Sequence, residues 1–271
     1  MTREININSI EEYTEFLNDK RFVFYNFMHD KDKIISLYRG QKDDWLLYPK
    51  LCRLYETYSL KHMFDSDIKT FEETETVLLE DFKRNLNTYN LYQFKKNDWF
   101  FLSLGQHYGL PTRLLDWTSD PLVALWFAFN EERKFEAENY FRVVWRITFK
   151  KSRSKYPKQK LDRFEGIEIF KAPNIDQRIE NQKAWLTVQN VNFQTFSERR
   201  IDLIPDLTPS FTPINEIYGF DYFFLKIKIK DTEKNRIEIL NKLNDNGINY
   251  HFIYPDKISK LCEDIQKKVI G

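Results

Sequence analysis

The 271-residue sequence has little glycine, almost no cysteine and no long apolar run. Its 7 glycines form neither a GxGxxG nor a Walker A pattern, which argues against a glycine-rich phosphate loop. The two cysteines, Cys52 and Cys262, are too few for a disulfide framework, and we expect both to be buried thiols in a reducing compartment. No window reaches the roughly 18 consecutive apolar residues of a membrane-spanning helix. The sequence therefore excludes a disulfide scaffold and predicts no membrane partner.

Charge of either sign is not in excess, because 42 Lys and Arg stand against 41 Asp and Glu. Nucleic-acid binding would therefore need a local patch. Residues 150–163 form one, with seven basic side chains and one acidic side chain. We interpret this basic stretch either as a solvated loop or as an arm that contacts the phosphates of a nucleic acid or a dinucleotide.

Other absences concern metal and secretion. The 4 histidines include no HxxxH pair, so we expect no metal site. The N-terminus has no apolar segment followed by a small-residue cleavage site, so we expect a cytoplasmic protein without a secretory signal. Aromatic residues are abundant, at 17% of the chain, which excludes a disordered protein.

Hydrophobic periodicity and capping residues predict an alternation of helices and strands. A capping box at Ser9 and Glu12 opens a helix to about Lys20. A β-rich strand at residues 34–38 runs into a turn at residues 39–41. Ser119 is expected to cap a buried apolar helix that begins at Pro121. Further helices are predicted at 67–91, 98–107, 231–246 and 255–269, and further strands at 141–149, 222–230 and 250–253.

This pattern favours an α+β fold in which a helix-rich N-terminal half packs on a mixed or split β-sheet core. We find no internal repeat and no low-complexity linker. We therefore expect an N-terminal helical segment at residues 1–33 and one integrated domain at residues 34–271.

The densest group of reactive side chains lies at residues 106–121, between two apolar helices. His107 is a candidate acid or base because histidine changes charge near neutral pH. Tyr108 can stack on a ring, and Arg113 is a fork-shaped ligand for anions. The competing interpretation is structural: His107 is a satisfied histidine, and Arg113 forms a buried ion pair with Asp116 that locks the turn.

Two other segments carry polar candidates. Arg39 is followed by Gly40, which allows the backbone to approach a ligand phosphate or amide closely. In residues 178–185, Glu180 and Gln182 stand two apart and would share a face if this segment is a strand. The competing interpretations are a surface arginine at a tight turn and a polar edge or loop.

These segments resemble the FRG domain family, which is named for a Phe-Arg-Gly tripeptide. The tripeptide stands here as Tyr38-Arg39-Gly40, and the most specific block is QHYGLPTRLLDWT at residues 106–118. A third family motif is similar to Gln182, Ala184 and Trp185, with alanine where glycine is usual. The resemblance extends from about residue 34 to the C-terminus.

The resemblance implies a bacterial or phage protein whose three motifs follow the order found in ADP-ribosyltransferases. It implies a similar fold, NAD as substrate, no metal, and a role as a toxin or phage-defence effector. Its partners would be a protein or nucleic-acid acceptor, reached through residues 150–163, and an antitoxin. The implied catalytic residues are Arg39, His107, Tyr108, Glu180 and Gln182. The residues expected to line the NAD site are Gly40, Gln41, Gln106, Thr112, Arg113, Asp116 and Thr118.

Each implied role has a chemical reason. Arg39 would hold a phosphate or ribose, Tyr108 would stack on nicotinamide, and Glu180 or Gln182 would stand at the reacting ribose, where a carboxylate stabilises an oxocarbenium-like centre. Two alternatives stay open. One is a nucleotide- or nucleic-acid-binding module without catalysis, suggested by the basic stretch. The other is a metal-independent nuclease that uses His107 and Arg113.

Overall fold

A computed structural model of the chain describes residues 3–19, 34–61, 70–88, 97–132, 140–150, 156–157, 167–189, 214 and 222–255. Most of the basic stretch 150–163 lies outside these residues. So do Cys262, the final predicted helix beyond residue 255, and both ends of the helix predicted at 67–91.

One seven-stranded mixed sheet organises the described residues, in the order β1-β7-β4-β2-β3-β6-β5. The edge strand β1 runs parallel to β7, and every other pair is antiparallel. The strands are β1 (Arg3–Ile7), β2 (Ile34–Gln41), β3 (Leu114–Thr118), β4 (Phe141–Lys150), β5 (Ile167–Lys171), β6 (Ala184–Gln189) and β7 (Tyr222–Lys230).

Eight helices are present in the described part of the chain. They are α1 (Ile10–Asn18), α2 (Lys50–Lys61), α3 (Phe71–Thr88), α4 (Asp98–His107), α5 (Pro121–Phe129), α6 (Gln177–Asn181), α7 (Glu233–Asp245) and α8 (Tyr250–Ile253). None of these eight has both the length and the apolar composition that a bilayer crossing requires.

Alternation along the strands divides the core between the two faces of the sheet. On one face, α1, α5, α7 and α8 bury apolar side chains against β1, β7, β4 and β2. On the same face, α3 and α4 pack over β3, β6 and β5. The opposite face carries a third core that includes Leu37, Trp117 and Trp145. Helices α4 and α5, one from each group, both contact β3, and the candidate site lies beside this strand.

The junction between β2 and β3 is short. Only one residue pair, Tyr38 with Thr118, joins these strands, whereas β2 pairs with β4 over eight residues. The ladder of main-chain hydrogen bonds between β2 and β3 does not continue to Arg39 and Gly40 on β2 or to Asp116 on β3. The main chain at this position is therefore open to side-chain hydrogen bonds.

Several predicted elements are confirmed. Ser9 caps α1 and accepts a hydrogen bond from the Glu12 amide, and α4 has the predicted bounds. The strands β4 and β7 and the helix α7 lie within one to two residues of their predicted limits. The coarse class, helices packed on a mixed sheet, is also confirmed.

Other predicted elements are wrong. Residues 39–41 continue β2 instead of forming a turn, because each pairs with β4. Asp120, not Ser119, caps α5, since its Oδ1 accepts from the amides of Leu122 and Val123. The predicted strand at 250–253 is the helix α8, which the Asn249 side chain caps. The described residues 3–19 hold the strand β1 as well as the helix α1, and β1 pairs with β7 at the edge of the sheet, while the division of the chain at residue 33 stays a prediction.

Candidate functional site

A hydrogen-bonded cluster joins the first two sequence motifs at the β2–β3 junction. Arg39 Nη1 donates to the main-chain oxygen of Asp116 at 2.8 Å, and Gln106 Nε2 donates to Asp116 Oδ1 at 2.7 Å. Gln106 Oε1 accepts from the Thr112 hydroxyl, which in turn accepts from the Leu114 amide at 3.1 Å. The end of α4 is thereby tied to both strands. We call Arg39, Gln106, Thr112 and Asp116 the junction cluster.

Arg39 keeps unused donor capacity within the junction cluster. Its Nε is buried and has no hydrogen-bond partner in the described part of the chain. Burial lowers the pKa of the Arg39 guanidinium, the Asp116 carboxylate opposes that shift, and nearby Arg53 adds to it. A guanidinium stays charged despite such a shift. Two adjacent arginines with a spare buried donor therefore provide a place for an anionic ligand group.

The loop after α4 is held by α2. The Leu51 amide donates to the Thr112 carbonyl at 3.2 Å, and Lys50 Nζ donates to the Gly109 carbonyl at 3.0 Å. Gly109 adopts φ 93°, a left-handed conformation that glycine tolerates best. Helix α2, which the sequence analysis did not predict, therefore sets the shape of this loop.

His107 extends the site towards the third motif. As the last residue of α4, it places Nε2 at 2.6 Å from Asp176 Oδ2, while Asp176 Oδ1 accepts from the Ile179 amide at 3.1 Å. The neighbouring ring of Tyr108 is 68% exposed and meets the imidazole edge-on, with centroids 5.0 Å apart. The site therefore combines an imidazole in contact with a carboxylate and an exposed aromatic ring beside them.

The third motif lies on a short helix and a turn, so the condition under which Glu180 and Gln182 would share a strand face is not met. Glu180 lies in α6 and Gln182 follows it as the C-cap, because the side chain of Asp176 starts a helix here. Glu180 is exposed, and its carboxylate has no hydrogen-bond or ion-pair partner among the described residues, while its carbonyl accepts from the Lys183 amide at 2.9 Å. Gln182 Nε2 donates to the Ile253 carbonyl at 3.2 Å, which docks α6 onto α8. The two side chains thus have different surroundings.

Arg113 lies inside the fold. Its Nε donates to Glu75 Oε1 and Oε2 at 2.8 and 2.7 Å, and only 4% of the Arg113 side chain and 2% of the Glu75 side chain are exposed. The predicted ion pair between Arg113 and Asp116 is therefore wrong, because α3 supplies a buried carboxylate and Asp116 contacts Gln106 instead. Burial raises the pKa of Glu75, against the attraction of Arg113.

Three further predicted residues have structural contacts. A β-carbon on Gly40 would lie 1.9 Å from the Ala124 oxygen, so this glycine lets α5 pack closely on β2. Gln41 is buried and accepts from the indole of Trp145 at 2.9 Å. Thr118 is buried and accepts from the Asp120 amide at 2.9 Å. These contacts serve helix packing, core hydrogen bonding and the turn before α5.

Three residues that interact with predicted site residues were not themselves predicted from the sequence as site residues: Asp176, Glu75 and Arg53. Asp176 and Glu75 are two of 41 acidic residues, and their partners lie 69 and 38 residues away. Asp176 does have a local sequence signal, because aspartate is a favoured N-cap residue at the start of a helix. That signal predicts that Asp176 caps a helix, but it does not identify His107 as its partner.

The described residues contain no group of three or more His, Cys, Asp or Glu side chains arranged to hold a metal ion. The arrangement consists instead of guanidinium donors, carboxylates, an imidazole and an exposed phenol ring.

Comparison with known proteins supports one assignment. The family model of the FRG domain matches residues 35–137, which include Arg39, Gln106, His107 and Asp116. The segment with Glu180 and Gln182 lies beyond the matched range. No curated protein and no solved structure matches the chain. The resemblance seen in the sequence is therefore confirmed over its first two motifs, by the match of residues 35–137 to the FRG domain family.

Proposed function

We propose that this chain is an NAD-dependent ADP-ribosyltransferase that acts as a toxin or phage-defence effector in a bacterial cytoplasm. The observation that carries the proposal is the contact path through all three motifs. It runs from Arg39 through Asp116 to Gln106, and from the adjacent His107 through Asp176 to α6. A path of direct contacts makes one shared site sterically reasonable.

The groups along this path suit the cleavage of NAD⁺. Arg39, beside Arg53, supplies guanidinium donors for the pyrophosphate. The exposed ring of Tyr108 can stack on the nicotinamide. Glu180 carries a carboxylate without a polar partner in the described residues, and such a group can stabilise the oxocarbenium-like ribose. The single-pair junction of β2 and β3 supports a likeness to the split sheet of ADP-ribosyltransferases.

Nicotinamide release tests the proposal. The purified chain is incubated with NAD⁺, with and without bacterial lysate and RNA, and nicotinamide is quantified by mass spectrometry. We expect wild type to release nicotinamide and Arg39→Ala to lose about tenfold to a hundredfold in kcat/KM, as for a charged hydrogen bond to an anion. Arg84→Ala is the matched control, because Arg84 is an exposed arginine on α3 paired with Asp81.

Release by wild type that Arg39→Ala leaves unchanged would contradict the role of Arg39. Binding of NAD⁺ without release would support a non-catalytic binding module. No binding and no release by a folded protein would overturn the proposal.

A second comparison separates the roles of the third motif. Glu180→Gln should lower kcat and leave thermal stability unchanged, because the carboxylate is exposed. Gln182→Ala should instead lower stability by about 1 kcal/mol, because it removes the hydrogen bond to the Ile253 carbonyl. If Gln182→Ala alone abolished turnover at unchanged stability, the assignment of the carboxylate to Glu180 would be wrong.

A further inference from the structure

Asp176 has two oxygens with two different partners. Oδ1 accepts from the Ile179 amide at 3.1 Å and so holds the carboxylate at the start of α6. Oδ2 lies 2.6 Å from His107 Nε2 at the end of α4. The first bond orients the Asp176 carboxylate at the start of α6. The second bond joins this oriented carboxylate to the Nε2 atom of the His107 imidazole.

A carboxylate accepts hydrogen bonds and does not donate them, so the contact places the imidazole proton on Nε2. The other ring nitrogen, Nδ1, then carries a lone pair. It has no hydrogen-bond partner among the described residues. The His107 side chain is 10% exposed and the Asp176 side chain 36%, so solvent reaches the pair without surrounding it.

We propose that Asp176 is a positioning residue that holds His107 in the Nε2–H tautomer, so that His107 Nδ1 is the general base of the reaction. This inference rests on the proposed function. The lone pair of the acceptor hydroxyl, amine or water forms a bond to ribose C1′. The C1′–N bond to nicotinamide breaks, and its electron pair leaves with neutral nicotinamide. The acceptor proton moves to His107 Nδ1 and then to solvent, while Asp176 stabilises the imidazolium through Nε2–H.

Two isosteric variants test this role. Asp176→Asn keeps a helix cap, because asparagine caps as well as aspartate, but removes the charge that faces Nε2. His107→Gln keeps an amide donor for Asp176 but has no nitrogen that takes up a proton. We expect each to lower kcat about a hundredfold or more, with KM for NAD⁺ within about threefold of wild type. Asp98→Asn is the matched control, since its exposed carboxylate lies at the other end of α4 and pairs with Lys83.

The double variant distinguishes positioning from a purely structural role. If the two residues act as one unit, Asp176→Asn combined with His107→Gln should be no slower than the slower single variant. If the two substitutions acted independently, the fold-losses in kcat of the two single variants would multiply in the double variant. In parallel, ¹⁵N NMR of the neutral imidazole should show the proton on Nε2 in wild type and a mixture of tautomers in Asp176→Asn.

The outcomes are separable from those of the proposed function. A wild type that releases nicotinamide while folded Asp176→Asn retains its kcat would overturn this inference alone. Multiplying losses in the double variant, or a wild-type imidazole with its proton on Nδ1, would also overturn it. A folded wild type that releases no nicotinamide under any condition would overturn the proposed function and the general-base role together.

Discussion

Arg39 bonds to the main chain of Asp116 and not to its carboxylate: Nη1 donates to the carbonyl oxygen at 2.8 Å. The carboxylate is occupied by Gln106. The guanidinium thereby replaces a strand hydrogen bond at a point where β2 and β3 are joined by a single residue pair. An arginine in the family's tripeptide thus serves both the sheet and the candidate site.

This relationship predicts unequal losses of stability at the two residues. Arg39→Ala removes the donor from the Asp116 carbonyl and should lower the free energy of unfolding by about 1–3 kcal/mol. Asp116→Asn leaves that carbonyl in place and still offers Gln106 an oxygen, so it should cost less than about 0.5 kcal/mol. Urea denaturation of both variants measures the difference. Equal losses would show that the main-chain bond contributes little.

Gly40 and Gly109 should respond differently to the same added methyl group. At Gly40 the new β-carbon would lie 1.9 Å from the Ala124 oxygen and 2.7 Å from the Ala128 nitrogen, so α5 must move off β2. Gly40→Ala should cost about 3 kcal/mol or more. Gly109→Ala meets no atom within 4 Å, but its φ of 93° strains alanine, for a loss of about 1–2 kcal/mol. Thermal unfolding compares them, and a Gly40→Ala protein as stable as Gly109→Ala would refute the close packing.

The buried pair of Arg113 and Glu75 predicts non-additive stability. Glu75→Gln leaves the Arg113 charge buried without a counter-charge and should cost about 3–5 kcal/mol. Combining Glu75→Leu with Arg113→Met removes both charges together, and it should cost less than Glu75→Gln alone. Urea unfolding of both proteins provides the measurement. A double variant less stable than the single one would show that the ion pair itself contributes the stability.

Cys52 should resist alkylation in the folded protein. It is fully buried, and that burial is the main cause that raises the pKa of its thiol, so little reactive thiolate forms near neutral pH. In a Cys262→Ser background, iodoacetamide at pH 8 should modify Cys52 at least about a hundredfold more slowly than after unfolding in urea. Mass spectrometry follows the reaction. Similar rates in the folded and unfolded states would show that α2 opens readily.

Local sequence predicted the elements whose signals lie within a few residues. Helix α4 has the expected bounds, and Ser9 caps α1 as expected. Local signals failed where neighbours in space decide the conformation. Gly40 looks like a turn residue, but it lies in β2 because α5 needs the space that a side chain would fill. The segment before Tyr254 looks like a strand, yet the cap from Asn249 makes it helical.

The sequence by itself determined the FRG motifs, the periodic helices and strands, and the types of side chain at the candidate site. Only the tertiary structure decided which side chains meet: Arg113 with Glu75, Arg39 with the Asp116 carbonyl, and His107 with Asp176. The physical reason is that many residues of each type compete for a buried polar group. The partner is the one that the packing of helices on the sheet brings within hydrogen-bond distance.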